Sequence, residues 1–183
     1  MQNTIIYLTG YAGSGKYTIA KELCKQADVR LVDNHLINNP IFSLIEIKGK
    51  ILSSDVWKNT DRIRRVVLDT MIEISPPEFN FVLTNCLFEK DKDVYNDVFD
   101  MAEKRNATFI PVILDLSEDE MVKRRTTHER AERFKDTSAE NARRDLRTVK
   151  RLEIKHQNAL TLDISDISAV DVAKNILNFA KSI

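Results

Sequence analysis

Residues 8–18 read LTGYAGSGKYT. Gly10, Gly15 and Lys16 meet the phosphate-binding pattern G-x-x-x-x-G-K-[ST], but Tyr17 stands where that pattern asks for a small hydroxyl side chain. Three of the chain's four glycines, Gly10, Gly13 and Gly15, fall within six residues. Such a cluster lets the backbone take positive φ angles and turn its N–H groups, with Ser14 among them, around a phosphate. The stretch follows an apolar run, Ile5-Ile6-Tyr7-Leu8, and opens a helical pattern with Ile19, Ala20, Leu23, Cys24 and Ala27 on one face. A helix starting near Lys16 aims its free N–H groups and roughly half a positive charge at the same point, to which Lys16 adds a full charge. Strand, glycine turn and helix in this order are the context the motif requires; the bland alternative is a strand-to-helix turn with no ligand.

Outward from this stretch the chain alternates between two hydrophobic periods. Continuous apolar runs recur at 29–32, 81–83, 109–114 and 159–162, as expected of parallel strands covered on both faces. Between them lie helical stripes: Ile63, Val66, Val67, Thr70, Met71 and Ile74, ended by Pro76-Pro77; then Val94, Tyr95, Val98, Phe99 and Ala102; then Ala142, Leu146 and Val149; then Ala169, Ala173, Ile176, Leu177 and Ala180. The alternation predicts an α/β fold, one parallel sheet with right-handed crossovers and helices on both faces. Ligands in such folds bind beyond the carboxyl ends of the strands. There the unusual residues collect: the glycine turn after the first run, Asp33-Asn34-His35 after the second, Thr84-Asn85 after the third, Asp115 after the fourth and Asp163-Ile164-Ser165 after the fifth.

Length and composition exclude several classes. At 183 residues and 43% hydrophobic content the chain can bury one core, so one domain over 1–183 is expected. Its 28 basic and 28 acidic residues cancel, leaving no whole-molecule field toward nucleic acid or an anionic membrane. No apolar run approaches a membrane span, and no leader-like segment opens the chain, so a cytoplasmic protein without a membrane partner is expected. Cys24 and Cys86 make neither a disulfide framework nor a metal-ligand spacing and are expected as free core thiols.

LTGYAGSGKYTIA, VILDLSEDEMVKRR and NALTLDIS with the helix after it together resemble the small P-loop kinases, among them shikimate, gluconate and adenylate kinases and the chloramphenicol phosphotransferases. The resemblance covers most of the chain. It implies a P-loop NTPase fold with five parallel strands in the order 2-3-1-4-5, ATP and Mg2+ as cofactors, and a small-molecule acceptor. Gly10, Gly13, Ser14, Gly15, Lys16, Tyr17 and Thr18 would cradle the nucleotide, with Thr18 a candidate metal ligand. Arg124 would pack on adenine. Arg130 and Arg133, beside Lys135, would belong to a lid over about 126–138, Arg130 acting on the migrating phosphate. An acceptor-side segment would span about 35–60, with Asp33 touching or deprotonating the acceptor hydroxyl and His35 bonding substrate. His35 reads equally as a structural helix-start histidine. Of Arg62, Arg64 and Arg65, Arg64 is chosen as an anion clamp.

Local charge agrees with a lid. Between Lys123 and Arg151, eleven Lys or Arg residues against five Asp or Glu leave a net charge of +6 in a neutral protein. Arg143, Arg147 and Arg151 repeat every four residues and read either as part of an anion site or as a solvated helix face.

Two departures narrow the resemblance. The third strand, Val82 to Leu87, carries neither the glycine cluster with which shikimate kinase holds its acceptor nor an aspartate for magnesium's water shell, though Asn85 or Thr84 could orient a water. At Tyr17 the phenol is too long to place its oxygen where serine would. Either Thr18 shifts in, or magnesium is held by the nucleotide and Asp33 through waters, or metal use is weak; the second is favoured because magnesium commonly keeps several waters. The expected function is transfer of the γ-phosphate of ATP to a small metabolite or nucleotide. The rivals are a nucleotide-binding protein without transfer and a nucleic-acid contact on the 143–151 face, the latter not expected.

Overall fold

A computed structural model of the protein describes residues 1–46, 52–126 and 137–183. Five parallel strands form one sheet: β1 (Thr4–Thr9), β2 (Arg30–Asp33), β3 (Phe81–Thr84), β4 (Thr108–Asp115) and β5 (Leu160–Asp163). Their order is β2-β3-β1-β4-β5, as the resemblance implies. The central strand, β1, is buried at all six positions. Such a strand has no polar face to show, so its sequence reads as an unbroken apolar run.

Side chains alternate across the sheet and divide the core into two layers. Ile6, Leu8, Val82, Ile110 and Val112 face α1 (Lys16–Gln26), α5 (Glu118–Arg125) and the C-terminal α7 (Ala169–Ser182), meeting Ile19, Leu23, Met121 and Ile176. Ile5, Tyr7, Phe81, Leu83 and Phe109 face α3 (Ser54–Glu73) and α4 (Lys92–Lys104), meeting Leu68, Met71, Val98 and Met101. Fully burying each large apolar side chain contributes about 1.5–3 kcal/mol. No helix among the described residues is long and apolar enough to cross a membrane.

Several boundaries differ from the sequence reading. The second and fifth strands begin and end one residue later than their apolar runs, and the third ends one residue later. Asp33, Thr84, Asp115 and Asp163 are therefore the last residues of their strands rather than the first beyond them. The ladder explains it, because Asp33 pairs with Thr84 and Asp115 with Asp163 as the final rungs. The acceptor-side segment opens with α2 (Asn34–Phe42), with Pro40 inside it, so His35 does stand at a helix start. Proline removes a helical hydrogen bond, and α2 ends two residues later. The stripe expected to include Val149 stops at α6 (Ala139–Thr148); Val149 is extended, and Arg151 beyond it is not on a helix at all.

The carboxyl end of α3 is closed from outside. Arg105, 8% exposed, donates to Met71 O, to Pro76 O at 2.9 Å and to Ser75 O and Pro77 O at 3.4 Å each. These carbonyls lie at and beyond the end of a helix, where no intrahelical donor remains. Arg105→Met should lower the unfolding free energy by about 2–3 kcal/mol, the range for buried hydrogen bonds to a charged group, read as a reduced urea midpoint at unchanged slope.

Candidate active site

Gly10 leaves β1 with φ 150°. A Cβ built on it would stand 2.6 Å from Leu114 O and 2.9 Å from Ser14 Oγ, so only glycine lets the loop pass this close to β4. The loop turns back on itself where Ser14 N donates to Tyr11 O at 3.1 Å. Gly15, at φ 76°, then enters α1 from the left-handed region, which side chains disfavour. Lys16 Nζ folds onto the loop, donating to Gly10 O at 2.8 Å, Tyr11 O at 2.9 Å and Ser14 Oγ at 3.2 Å. Amides at a helix start and an ammonium on one turn make an anion-binding concavity.

Tyr17 is half-buried, with Lys21 Nζ 5.0 Å from its centroid one turn along α1. Thr18 is exposed.

Arg124 lies beside the loop. Its Nη1 is 3.8 Å from where a Gly15 Cβ would be, its Nε donates to Glu120 Oε1 at 2.7 Å, and its Nη2 donates to Ile164 O at 3.0 Å beyond β5. Hydrogen bonds from Arg124 and Lys123 hold the Glu120 carboxyl below its usual range. The guanidinium thus spans from α5 to the end of β5, next to the loop.

Across β3, Asp33 is 2% exposed. Thr84 Oγ1 donates to its Oδ1 and accepts from Asn34 N at 3.2 Å. Asp33 Oδ2 is buried and has no hydrogen-bond partner among the described residues. His35 faces Asn39 Oδ1 at 3.4 Å through Nδ1, the structural bond that the sequence left open.

The three arginines of α3 separate cleanly. Arg62 and Arg65 are exposed, reaching Asn59 and Asp97, whereas Arg64 is 8% exposed and pairs with Asp61. The buried positions Thr60, Arg64, Leu68 and Met71 follow the helical period. Arg64 also acts electrostatically on Tyr7, whose phenol burial pushes well above its ordinary value, opposed by Asn85 and Arg64. By strand alternation Tyr7 faces α3, while Asp33 and Thr84 face α1. No hydrogen bond or ion pair among the described residues joins Arg64 to Asp33. Arg130, Arg133 and Lys135 lie outside the described residues.

Sequence reasoning missed two residues around the loop, Tyr11 and Arg125, and placed a third, Arg151, on a helical repeat. Tyr11 donates its hydroxyl to Val149 O at 3.0 Å and packs its ring between Phe88 and the Arg151 guanidinium. Arg151 reaches Asp115 Oδ2 at 3.3 Å, so it belongs to neither a helical face nor a solvated one. Arg125 is 3% exposed, pairs with Asp145 Oδ2 at 2.8 Å and joins α5 to α6. Arg143 and Arg147 do remain exposed, reaching Glu118 at 3.8 and 3.7 Å. Both cysteines are free, and burial pushes both thiols up.

The profile of the AAA domain family matches residues 5–152. Among solved structures, the chain is similar to a sugar kinase from Janibacter (17% identity, TM-score 0.66, covering 98% of this chain and 95% of that one). It is also similar to a gluconokinase from Sinorhizobium meliloti (13%, 0.67, covering 98% and 93%). A third is shikimate kinase from Aquifex aeolicus (15%, 0.56, covering 98% and 97%). At these identities the likeness is one of fold. Among curated proteins no sequence relative matches.

The buried Arg125–Asp145 pair is separable from the anion site itself. Arg125→Met should destabilise the fold by about 2 kcal/mol by removing one charged partner of Asp145, which keeps Arg144 at 3.3 Å, and Arg125→Met with Asp145→Leu should recover part of that loss. A cycle of thermal or urea unfolding on the four proteins measures the coupling, expected at about 1–3 kcal/mol.

Proposed function

This chain belongs to the AAA domain family and has the fold of the small P-loop kinases, and on that premise we propose that it transfers the γ-phosphate of ATP to a hydroxyl or phosphate of a small metabolite or nucleotide. The observation that carries the reading is the loop from Gly10 to Lys16, its lysine resting on its own carbonyls at the point a phosphate would occupy. Residues 1–183 act as one kinase-like domain in this reading, in an ATP-containing cytoplasm.

The amides of Gly13 to Lys16 bind the β- and γ-phosphates, and Lys16 exchanges Gly10 O and Tyr11 O for phosphate oxygens. Arg124 flanks the base. Asp33 Oδ2, buried and open, accepts the proton of the acceptor hydroxyl or holds that hydroxyl in line. Arg64 clamps an anionic group of the acceptor, and His35 bonds it from the first turn of α2. Arg130 and Arg133 bring positive charge to the migrating phosphoryl group, from which such reactions gain most of their rate.

Magnesium, when bound, supplies charge that steadies the phosphates and the leaving oxygen. A buried carboxylate oxygen without a partner fits the water shell of such an ion, and hydroxyls stand at Thr18, exposed on α1, and at Thr84, buried against Asp33.

One observation favours the rival reading, nucleotide binding without transfer: at Tyr17 a phenol, with Lys21 Nζ 5.0 Å from its centroid, replaces the small hydroxyl side chain of the motif. A nucleic-acid contact is weakened because Arg143 and Arg147 share Glu118.

Two outcomes test the proposal. ATP should raise the melting temperature of the wild-type protein, and Lys16→Ala should abolish the rise; a mutant that keeps it would remove the loop from nucleotide binding. Asp33→Asn should retain the shift induced by metal-free ATP while slowing transfer to an acceptor found by metabolite screening by about 100-fold or more, the scale of a general base. Equal loss of both would assign Asp33 a structural role.

A further inference from the structure

We infer that Thr84 and Asp33 hold the Mg2+ of the bound nucleotide, Thr84 Oγ1 supplying the hydroxyl oxygen that α1 lacks at Tyr17. The inference rests on the nucleotide reading above and names the residues that would serve its metal.

A metal-holding hydroxyl in P-loop proteins comes from the residue after the loop lysine, working with an aspartate on a neighbouring strand. Here that residue is Tyr17, with Lys21 Nζ 5.0 Å from its ring centroid. The neighbouring strand, β3, ends not in an aspartate but in Thr84. A hydroxyl paired with a carboxylate is nevertheless present, one strand over. Thr84 Oγ1 donates to Asp33 Oδ1, so the two groups have exchanged elements rather than vanished.

The valence of Thr84 Oγ1 makes it a ligand rather than a donor. Its one proton goes to Asp33, one lone pair takes the Asn34 N–H, and one lone pair remains. A hydroxyl whose proton is held by a carboxylate carries more negative charge on oxygen, which suits a hard cation that takes oxygen ligands. Asp33 Oδ2 adds an uncompensated acceptor that is buried, a costly arrangement unless a cation, its water or a donor completes it.

The pair also ends at the phosphate loop. Asn85 N donates to Leu8 O at 3.0 Å, which sets Thr84 level with Leu8, two residues before Gly10. Cys86 lies close enough to the loop for Ala12 and Lys16 to act on its thiol. Both side chains face α1, the helix that begins with Lys16. Magnesium needs few protein ligands when phosphates and waters supply the rest, so two residues suffice.

The test is calorimetric titration of ATP with Mg2+ and with EDTA, which isolates the metal-dependent part of affinity without turnover. Thr84→Val should lose about tenfold or more of that part while keeping its affinity for metal-free ATP, as loss of a metal-site partner does. Thr84→Ser should keep it, and adding Tyr17→Ser to Thr84→Val should restore it. A Thr84→Val protein with the full Mg2+ increment overturns the assignment while leaving the kinase reading intact. No ATP binding by the wild-type protein overturns both. A measurement free of mutation uses ADP with Mn2+ in place of Mg2+: the Thr84 methyl and Asn34 amide resonances should broaden before those of Thr18, and the reverse order overturns the inference.

Discussion

At Gly10 the chain has no room for a side chain, and the arrangement of the phosphate loop depends on that. Any Cβ there would meet Leu114 O at 2.6 Å, so β1 can leave the sheet flush against the end of β4. Gly13 repeats the constraint on the other side, where Met121 O of α5 would stand 3.2 Å from a Cβ. The loop is therefore wedged between a strand end and a helix. Wedging matters because backbone N–H groups converge on an anion only if the turn that carries them cannot open. With β1 buried in the middle of the sheet and paired to β3 and β4, the turn inherits the rigidity of the core.

Polar contacts then tie the surrounding elements to this loop. Tyr11 at its crown bonds Val149 O and lies under Arg151, while the extended segment after α6 bridges to the β3 side through Leu152 N to Leu87 O at 3.1 Å and Glu89 N to Lys150 O at 3.2 Å. The Arg125–Asp145 pair joins α5 to α6, on either side of residues outside the described set. Each neutral hydrogen bond contributes only about 1 kcal/mol, and a buried ion pair scarcely more once desolvation is counted. Their value is positional. They fix where α6 and the segment after it sit relative to Gly10 to Lys16, which apolar packing without directional contacts would not do.

The parallel sheet, its helices and the glycine loop were legible in the sequence because each has a local signature: unbroken apolar runs, a 3.6-residue stripe, glycines crowded into six residues. The inward face of α3 was misjudged: the expected stripe ran Ile63, Val66, Val67, Thr70, Met71 and Ile74, whereas Thr60, Arg64, Leu68 and Met71 are buried and Val66 and Ile74 are exposed. What stayed hidden is non-local. Thr84 and Asp33 are 51 residues apart and meet only because β2 and β3 pair in one register; Tyr11 finds Val149 138 residues on. Arg151 shared the spacing of Arg143 and Arg147, but α6 had already ended at Thr148, so the period continued on paper past the structure that gave it meaning. Of α2 only the helix start at His35 was legible, because Pro40 argues locally against the helix that contains it.

The edge strand shows why a functional carboxylate should be tied to its neighbour in this way. β2 has four residues, and only its last, Asp33, is buried. So short and exposed a strand gains little from apolar burial and is held instead by polar pins at both ends. At the start, Arg30 N donates to Asn80 O at 2.9 Å, while Asn80 Nδ2 reaches Asp28 O at 3.0 Å and its Oδ1 accepts from Thr4 N at 3.1 Å, fastening the approach to β2 across to β1. At the finish, Thr84 holds Asp33 and the first amide of α2 together. The two pins differ in one respect. Asn80 meets donors and acceptors on all sides, whereas the Asp33–Thr84 end leaves a buried carboxylate oxygen open. A pin that served the fold alone would gain by closing that oxygen too, so on the proposed reading the opening is kept for a ligand, at the end of the strand that is anchored most firmly.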